Sequence, residues 1–232
     1  MKMTPLAILS LLFLGQDPPG ATPAPKTGGW LKRHEGFAEE ARKGGYDVLF
    51  QGDSITDGWR NGAAKQIWDE TFGPMKAANF GISGDRTQHV LWRLKNGEWE
   101  GSAPPKLVVL MIGTNNIGQK DPEPPSSAVA GIDAILKFIH QKSETTKVLL
   151  LGVFPRGEKP DHPHRALVKE LNAAIAKFDD GKSVTFLDIG EKFQQPDGSL
   201  SKDIMPDFLH LSPKGYQIWA DAIKEPVAAL LR

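Results

Sequence analysis

The stretch Asp47-Val48-Leu49-Phe50-Gln51-Gly52-Asp53-Ser54 decides the fold. It is a short apolar run that stops at a glycine and opens into polar residues. The run Asp47–Gln51 is continuous rather than alternating, which suits a strand buried on both faces of a parallel sheet. Four further runs share its character: Ala77–Phe80, Leu107–Ile112, Val148–Val153 and Val184–Ile189. Segments of helical spacing surround them at Leu31–Lys43, Ala63–Phe72, Gln88–Leu94, Ser126–Gln141 and Arg165–Phe178. In Ser126–Gln141, Val129, Ile132, Ile135, Leu136 and Ile139 form one stripe, with Ser126 or Ser127 as N-cap. A last helix starts at Ser212 as N-cap, takes Pro213 into its first turn and runs to Leu230, with a bend or break expected at Pro226. Strands alternating with helices predict a three-layer α/β/α domain with a parallel sheet.

Composition narrows the chemistry. The 232 residues hold 28 basic and 28 acidic side chains, so the formal net charge is zero and no electrostatic footprint for nucleic acid follows. There is no cysteine, which excludes disulfides, zinc–thiolate sites, iron–sulfur ligation and a cysteine nucleophile. With 24 glycines and 18 prolines, many tight loops are expected.

The first residues read as an address. Lys2 supplies a positive start, Leu6–Leu14 is apolar apart from Ser10, and a Pro/Ala/Thr stretch reaches Pro25. This is the pattern of a secretory signal. The apolar run falls far short of the roughly 20 residues that span a bilayer. Residues 1–26 are therefore read as a signal peptide and Pro/Ala-rich leader, and 27–232 as the domain. The mature N-terminus is expected between Gln16 and Lys26, and the protein outside the cytoplasm. Retention in the cytoplasm is the alternative.

In parallel sheets, sites form beyond the carboxyl ends of the strands. Three polar blocks sit there: Gly52-Asp53-Ser54, Gly81-Ile82-Ser83-Gly84-Asp85 and Gly113-Thr114-Asn115-Asn116. A serine after a strand most often caps a helix. It becomes a nucleophile only beside an oriented base. Among six histidines, His34 and His89 lie in helical segments as surface or partly packed residues, His140 ends a helix, and His162 and His164 sit in a Pro-rich loop. His210 differs. It lies in Asp207-Phe208-Leu209-His210, where a carboxylate three residues upstream can accept the Nδ1 proton and leave Nε2 free. The ordinary reading of that pair is a salt bridge at the start of a helix. Gly84 can offer a backbone N–H and Asn115 a side-chain amide to a developing oxyanion, although both residue types are also common in turns. Asp57, Asp85 and Arg86 either shape the pocket or satisfy turn hydrogen bonds. No G-x-x-x-x-G-K-[ST], G-x-G-x-x-G or G-x-S-x-G occurs, so nucleotide binding and the common α/β-hydrolase fold find no support. No metal or other cofactor is expected.

Four ordered blocks resemble the SGNH (GDSL) hydrolase family: Gly52-Asp53-Ser54-Ile55, Asn79-Phe80-Gly81-Ile82-Ser83-Gly84-Asp85, Gly113-Thr114-Asn115-Asn116 and Asp207-Phe208-Leu209-His210. The stretches His89–Glu98 and Pro155–Pro160 resemble, within it, the catalytic subunits of platelet-activating-factor acetylhydrolase type Ib. The resemblance implies a flavodoxin-like five-stranded sheet of order 2-1-3-4-5. It implies Ser54 as nucleophile, His210 as base and Asp207 as its orienter, with an oxyanion hole from the Ser54 and Gly84 N–H groups and the Asn115 amide. Many family members carry Asp where this chain has Asn116. The expected activity is a serine esterase acting on short acyl, chiefly acetyl, esters of carbohydrates or small alcohols. A phospholipid-type esterase is the second substrate reading. A non-catalytic carbohydrate- or lipid-binding module on the same fold is the reading of another class. Trp59, Trp68, Trp92 and Trp99 are either sugar platforms or packing residues. Zero net charge is compatible with a homodimer.

Overall fold

The computed structural model describes residues 17–101 and 103–232. The charged start and apolar run of the leader lie outside these residues. Five strands, β1 (Val48–Gly52), β2 (Ala77–Asn79), β3 (Leu107–Met111), β4 (Lys147–Leu151) and β5 (Val184–Leu187), form one sheet. Every pairing is parallel and the order is β2-β1-β3-β4-β5, the expected order. Strand order reverses at β1, between β2 and β3. Phe50 stands level with Asn79 on one side and Val109 on the other, so the three polar blocks leave the sheet side by side.

Alternation within the strands divides the core. Leu49, Val108, Leu110, Val148 and Leu150 face one layer, with Ile132 and Ile135 of α6 (Pro125–Lys142) and Leu171 of α7 (Pro163–Ile175). That layer also contains α1 (Gly29–Lys43) and α4 (Thr87–Arg93). Val48, Phe50, Val109, Leu149 and Leu151 face the other, with Trp68 of α3 (Gly62–Thr71) and Trp219 and Ile223 of α8 (Pro213–Leu230). Each fully buried Leu, Ile or Phe of this kind contributes about 1.5–3 kcal/mol. Two short helices, α2 (Ser54–Asp57) and α5 (Thr114–Gly118), start directly beyond β1 and β3 and carry the first and third polar blocks.

Several expectations change in detail. Helix α6 starts at Pro125 with Pro124 as N-cap, not at a serine cap. Pro125 needs no N–H at the first turn, and the Ser127 hydroxyl is instead committed to Glu123 at 2.7 Å. His162 is not simple loop: its Nδ1 accepts the His164 N–H and caps α7. Helix α8 is capped by Ser212, as expected, and runs through Pro226 without a break. The proline removes the donor to the Ala222 carbonyl, but Ile223 and Val227, both fully buried, hold that turn to the core. His34 is buried, not superficial. Pro18–Lys26, grouped with the leader on sequence, lies against α4 and α6 through Gly20 and Ala24.

Candidate active site

The end of β1 places the first site residue. Asp53, fully buried, is the N-cap of α2, and its Oδ1 accepts the Ile55 N–H at 3.0 Å. Ser54 is therefore not the cap, and its hydroxyl is free for another partner. Its Oγ lies 2.9 Å from His210 Nε2, across 156 residues of sequence. Tyr216 supports the same turn from α8, donating its hydroxyl to the Ile55 carbonyl at 2.8 Å.

His210 is held by the loop that precedes α8. Asp207 Oδ2 lies 2.6 Å from His210 Nδ1. Asp207 Oδ1 accepts the backbone N–H groups of Leu209 (3.1 Å) and His210 (2.7 Å). One carboxylate thus folds the loop and meets the ring. Phe208 sits between them at φ 58°, a left-handed conformation that is uncommon for a bulky residue. Its carbonyl is fixed by the Gly157 N–H at 2.9 Å, from the Pro155–Pro160 stretch singled out on sequence. Burial raises the Asp207 pKa, but the hydrogen bonds and charge of His210 outweigh it, and the carboxyl lies below its ordinary value.

The second and third blocks meet through Asp85. Asp85 N–H donates to the Ile82 carbonyl at 3.2 Å and closes a turn with Gly84 at φ 77°. Glycine suits that conformation. Among the described residues, the Gly84 and Ser54 N–H groups donate to no partner. Asn115 Nδ2 donates to the Asp85 carbonyl at 2.8 Å, which occupies one of its two amide hydrogens and leaves the other.

Against the turn lies a set of buried charges built on Asp85, whose other members Arg93 and Glu98 were not candidates on sequence. Asp85 receives Trp30 Nε1 at 2.6 Å and Arg93 Nε at 2.9 Å. Arg93, fully buried, also donates to Glu98 at 2.5 Å and to the Phe80 carbonyl at 2.9 Å. Glu98 further meets His34 Nδ1 at 3.0 Å and Gln51 Nε2 at 3.0 Å. Burial pushes the Asp85 pKa above its ordinary value, against the pull of Arg93, Trp30 and Lys26. For Glu98, burial is outweighed by Arg93, His34 and Gln51, and its pKa lies below the ordinary value. No local sequence signal marks the pair, because Lys95 and Asn96 lie between Arg93 and Glu98 and the stretch looks like an ordinary solvated helix face. Asp57 and Arg86 have turn-holding contacts. Asp57 accepts from Ser83 Oγ, Arg33 and Arg60, and Arg86 pairs with Glu123 at 3.0 Å.

Asn116 has a structural explanation. It is fully buried, accepts the Thr87 N–H through Oδ1 and donates through Nδ2 to Glu123 at 2.9 Å and to Thr87 Oγ1 and Gln88 Oε1 at 3.1 Å each. Glu123 supplies the carboxylate here, so the adjoining residue must donate, which Asn does and ionised Asp cannot.

A cleft of 440 Å³ opens at Ser54, Ser83 and His210, with Ala63, Ala64, Leu211 and Tyr216 as its walls. A larger cavity of 620 Å³ lies at the β4–β5 end, near Arg165, Lys169, Asp188 and Glu191, and does not reach Ser54 or His210. Chemistry, not volume, singles out the smaller one. Trp59 and Trp68 are buried in the core, and Trp92 packs on Trp30 and His34, so these rings are packing residues. Burial raises the pKa of Asp53, beside the serine, to about 7. Among the described residues, no helix is long and apolar enough to cross a membrane.

A doubly wound parallel sheet with these blocks at its switch point is the architecture of SGNH hydrolases. The family model described as GDSL-like Lipase/Acylhydrolase matches residues 50–218, and the chain belongs to that family of ester hydrolases. It is 38% identical over 202 residues to the platelet-activating factor acetylhydrolase IB subunit alpha2 of Gallus gallus, covering 87% of this chain and 85% of that one. Among solved structures, a GDSL-like lipase of Bacteroides thetaiotaomicron has a TM-score of 0.67 at 21% identity, covering 84% of this chain and 97% of its own. A catalytic mutant of an acetylxylan esterase from Geobacillus stearothermophilus gives 0.63 at 19%, covering 79% and 94%. At these identities the two structures speak for the fold alone.

Proposed function

We propose that this chain is a serine esterase that removes short acyl groups, chiefly acetyl, through an acyl-enzyme on Ser54. The observation that carries the reading is the line Asp207–His210–Ser54, at 2.6 and 2.9 Å, at the mouth of the cleft. Ser54 Oγ attacks the ester carbonyl carbon while His210 Nε2 takes its proton. Asp207 holds the Nδ1–H tautomer and stabilises the imidazolium. The carbonyl oxygen becomes an oxyanion received by the Ser54 and Gly84 N–H groups and the Asn115 amide, donors worth about a hundred- to a thousandfold each in turnover. The C–O bond to the alcohol breaks as His210 returns the proton to the departing oxygen. Water then attacks the acyl-enzyme with His210 again as base, and the carboxylic acid leaves.

The acetyl preference is supported by the acetylhydrolase relatives. The carrier of the acetyl group is a carbohydrate or small alcohol in this reading. The relatives' name favours one second reading, an acetylated phospholipid. Export rests on Lys2 and the apolar run Leu6–Leu14. A series of 4-nitrophenyl esters of rising acyl length tests the preference: kcat/KM should be highest for acetate and fall steadily, and a maximum at long chains contradicts it. Acetylated xylooligosaccharide and a 2-acetyl phospholipid, assayed side by side, decide the carrier.

A further inference from the structure

Residues 18–26 do more than link a leader to a domain. Pro18 and Pro19 enter a tight turn closed by Ala21 N–H to the Pro18 carbonyl at 2.8 Å. Gly20 lies buried at its centre, its N–H on Ser127 Oγ and its carbonyl on Thr87 Oγ1, both at 2.8 Å. The fit is close on both sides. A Cβ on Gly20 would stand 2.2 Å from the Ser127 carbonyl oxygen, and a Cβ on Gly131 would stand 2.2 Å from the Gly20 carbonyl oxygen. Ser127 and Thr87 both bond to the Asn116–Glu123 pair, next in sequence to Asn115. The segment then crosses α4, with Ala24 N–H on the Gln88 carbonyl at 3.3 Å. It ends with Lys26 Nζ on the Gly84 carbonyl at 2.7 Å and 3.4 Å from Asp85 Oδ1. One short segment thus touches the supports of both oxyanion donors outside α2.

We propose that residues 18–26 are a strap that fixes the oxyanion hole, with Lys26 as a positioning residue that holds the Gly84 peptide in its left-handed turn. The proposal rests on the esterase reading given above. The Lys26 ammonium anchors the Gly84 carbonyl, which sets the turn that leaves the Gly84 N–H without an internal partner. Asp85, clamped below by Arg93 and Trp30, holds the other end of the turn. Burial lowers the Lys26 pKa against the opposing pull of Asp85, as befits an ammonium placed for its contacts rather than for solvation. The strap also bounds the leader: a signal removed on export is cut no later than residue 17, in the early part of the interval expected from sequence.

The test uses the full chain with 4-nitrophenyl acetate, counting active sites by the acyl burst. Lys26→Met should lower kcat per active site about 10- to 100-fold, the scale of a misplaced catalytic donor. KM should change by less than about threefold, since the lost interaction forms in the transition state. Lys26→Arg should recover most of the loss. Gly20→Ala, whose Cβ would press against Ser127 and Thr87 and unseat the strap, should reproduce the kcat defect and add little to Lys26→Met in the double variant. Unchanged kcat per active site in Lys26→Met overturns the proposal, as does a loss explained wholly by fewer active sites. A fully active exported protein whose N-terminus lies beyond Gly20 overturns it too. If Ser54→Ala keeps its turnover, the esterase reading itself fails, which separates the two failures.

Discussion

Asp53 Oδ1 accepts the Ile55 N–H at 3.0 Å, so the residue before the serine caps the helix and releases the serine hydroxyl to His210. That bond keeps a fully buried carboxyl beside the nucleophile, at a cost in desolvation.

The cost makes stability depend on pH. Burial raises the Asp53 pKa to about 7 from an ordinary 3.8. Between those values the folded state holds more protons than the unfolded one, so stability falls as pH rises through this window. Asp53→Asn keeps the acceptor for Ile55 and removes the charge. We expect its Tm to exceed wild type at pH 8, by at most about 4 kcal/mol in free energy, and to converge with wild type below about pH 4. Parallel Tm–pH curves for the two proteins contradict this.

Asp207 has two jobs that one substitution separates. In Asp207→Asn the side-chain oxygen still accepts the Leu209 and His210 N–H groups, so the loop should survive. The partner of His210 Nδ1 becomes a donor, and the ring is driven toward the wrong tautomer. We expect kcat to fall about a hundred- to ten-thousandfold with a Tm near wild type. Equal losses of kcat and folded fraction would mean that Asp207 only builds the loop.

Much of this was legible in the sequence because strands buried on both faces must be continuous and apolar, and the polar blocks that follow them then stand together at the sheet edge. Ser54, Asp207 and His210 were named together because their blocks, in order, resemble the SGNH family, since each residue alone has an ordinary reading. The buried charges were not legible. Arg93 and Glu98 look like surface residues of a helix until the fold lays Asp85, Gln51 and His34 against them. Lys26 was hidden for another reason. A Pro/Ala/Thr stretch after an apolar run reads as spacer, and only the docking of Gly20 shows it as part of the domain.

Asn116 and Glu123 make a matched pair of donor and acceptor. Asn116→Asp sets two carboxylates at 2.9 Å or forces one to take a proton. We expect a loss of about 1–3 kcal/mol in urea unfolding. Glu123→Gln should recover part of it, although Glu123 also serves Ser127, Gln88 and Arg86. Additive losses in the double variant would show that the two side chains act independently.

Arg93 joins two buried carboxylates that have few other counter-charges. Arg93→Met leaves Asp85 with Lys26 as its near cation and Glu98 without a guanidinium, and should cost about 3–5 kcal/mol. Because Asp85 shapes the turn at Gly84, the folded fraction of the variant should also show lower kcat per active site. A thermal shift with unchanged kcat would confine Arg93 to stability.

The proposed mechanism turns on a covalent acyl-enzyme at Ser54. Wild type and Ser54→Ala are mixed with 4-nitrophenyl acetate, quenched in acid during the burst and measured by intact mass, with the labelled peptide then sequenced. Wild type should gain one acetyl group on Ser54, and Ser54→Ala should show neither label nor turnover. Turnover that persists in Ser54→Ala, or an acetyl group lodged on another residue, contradicts it.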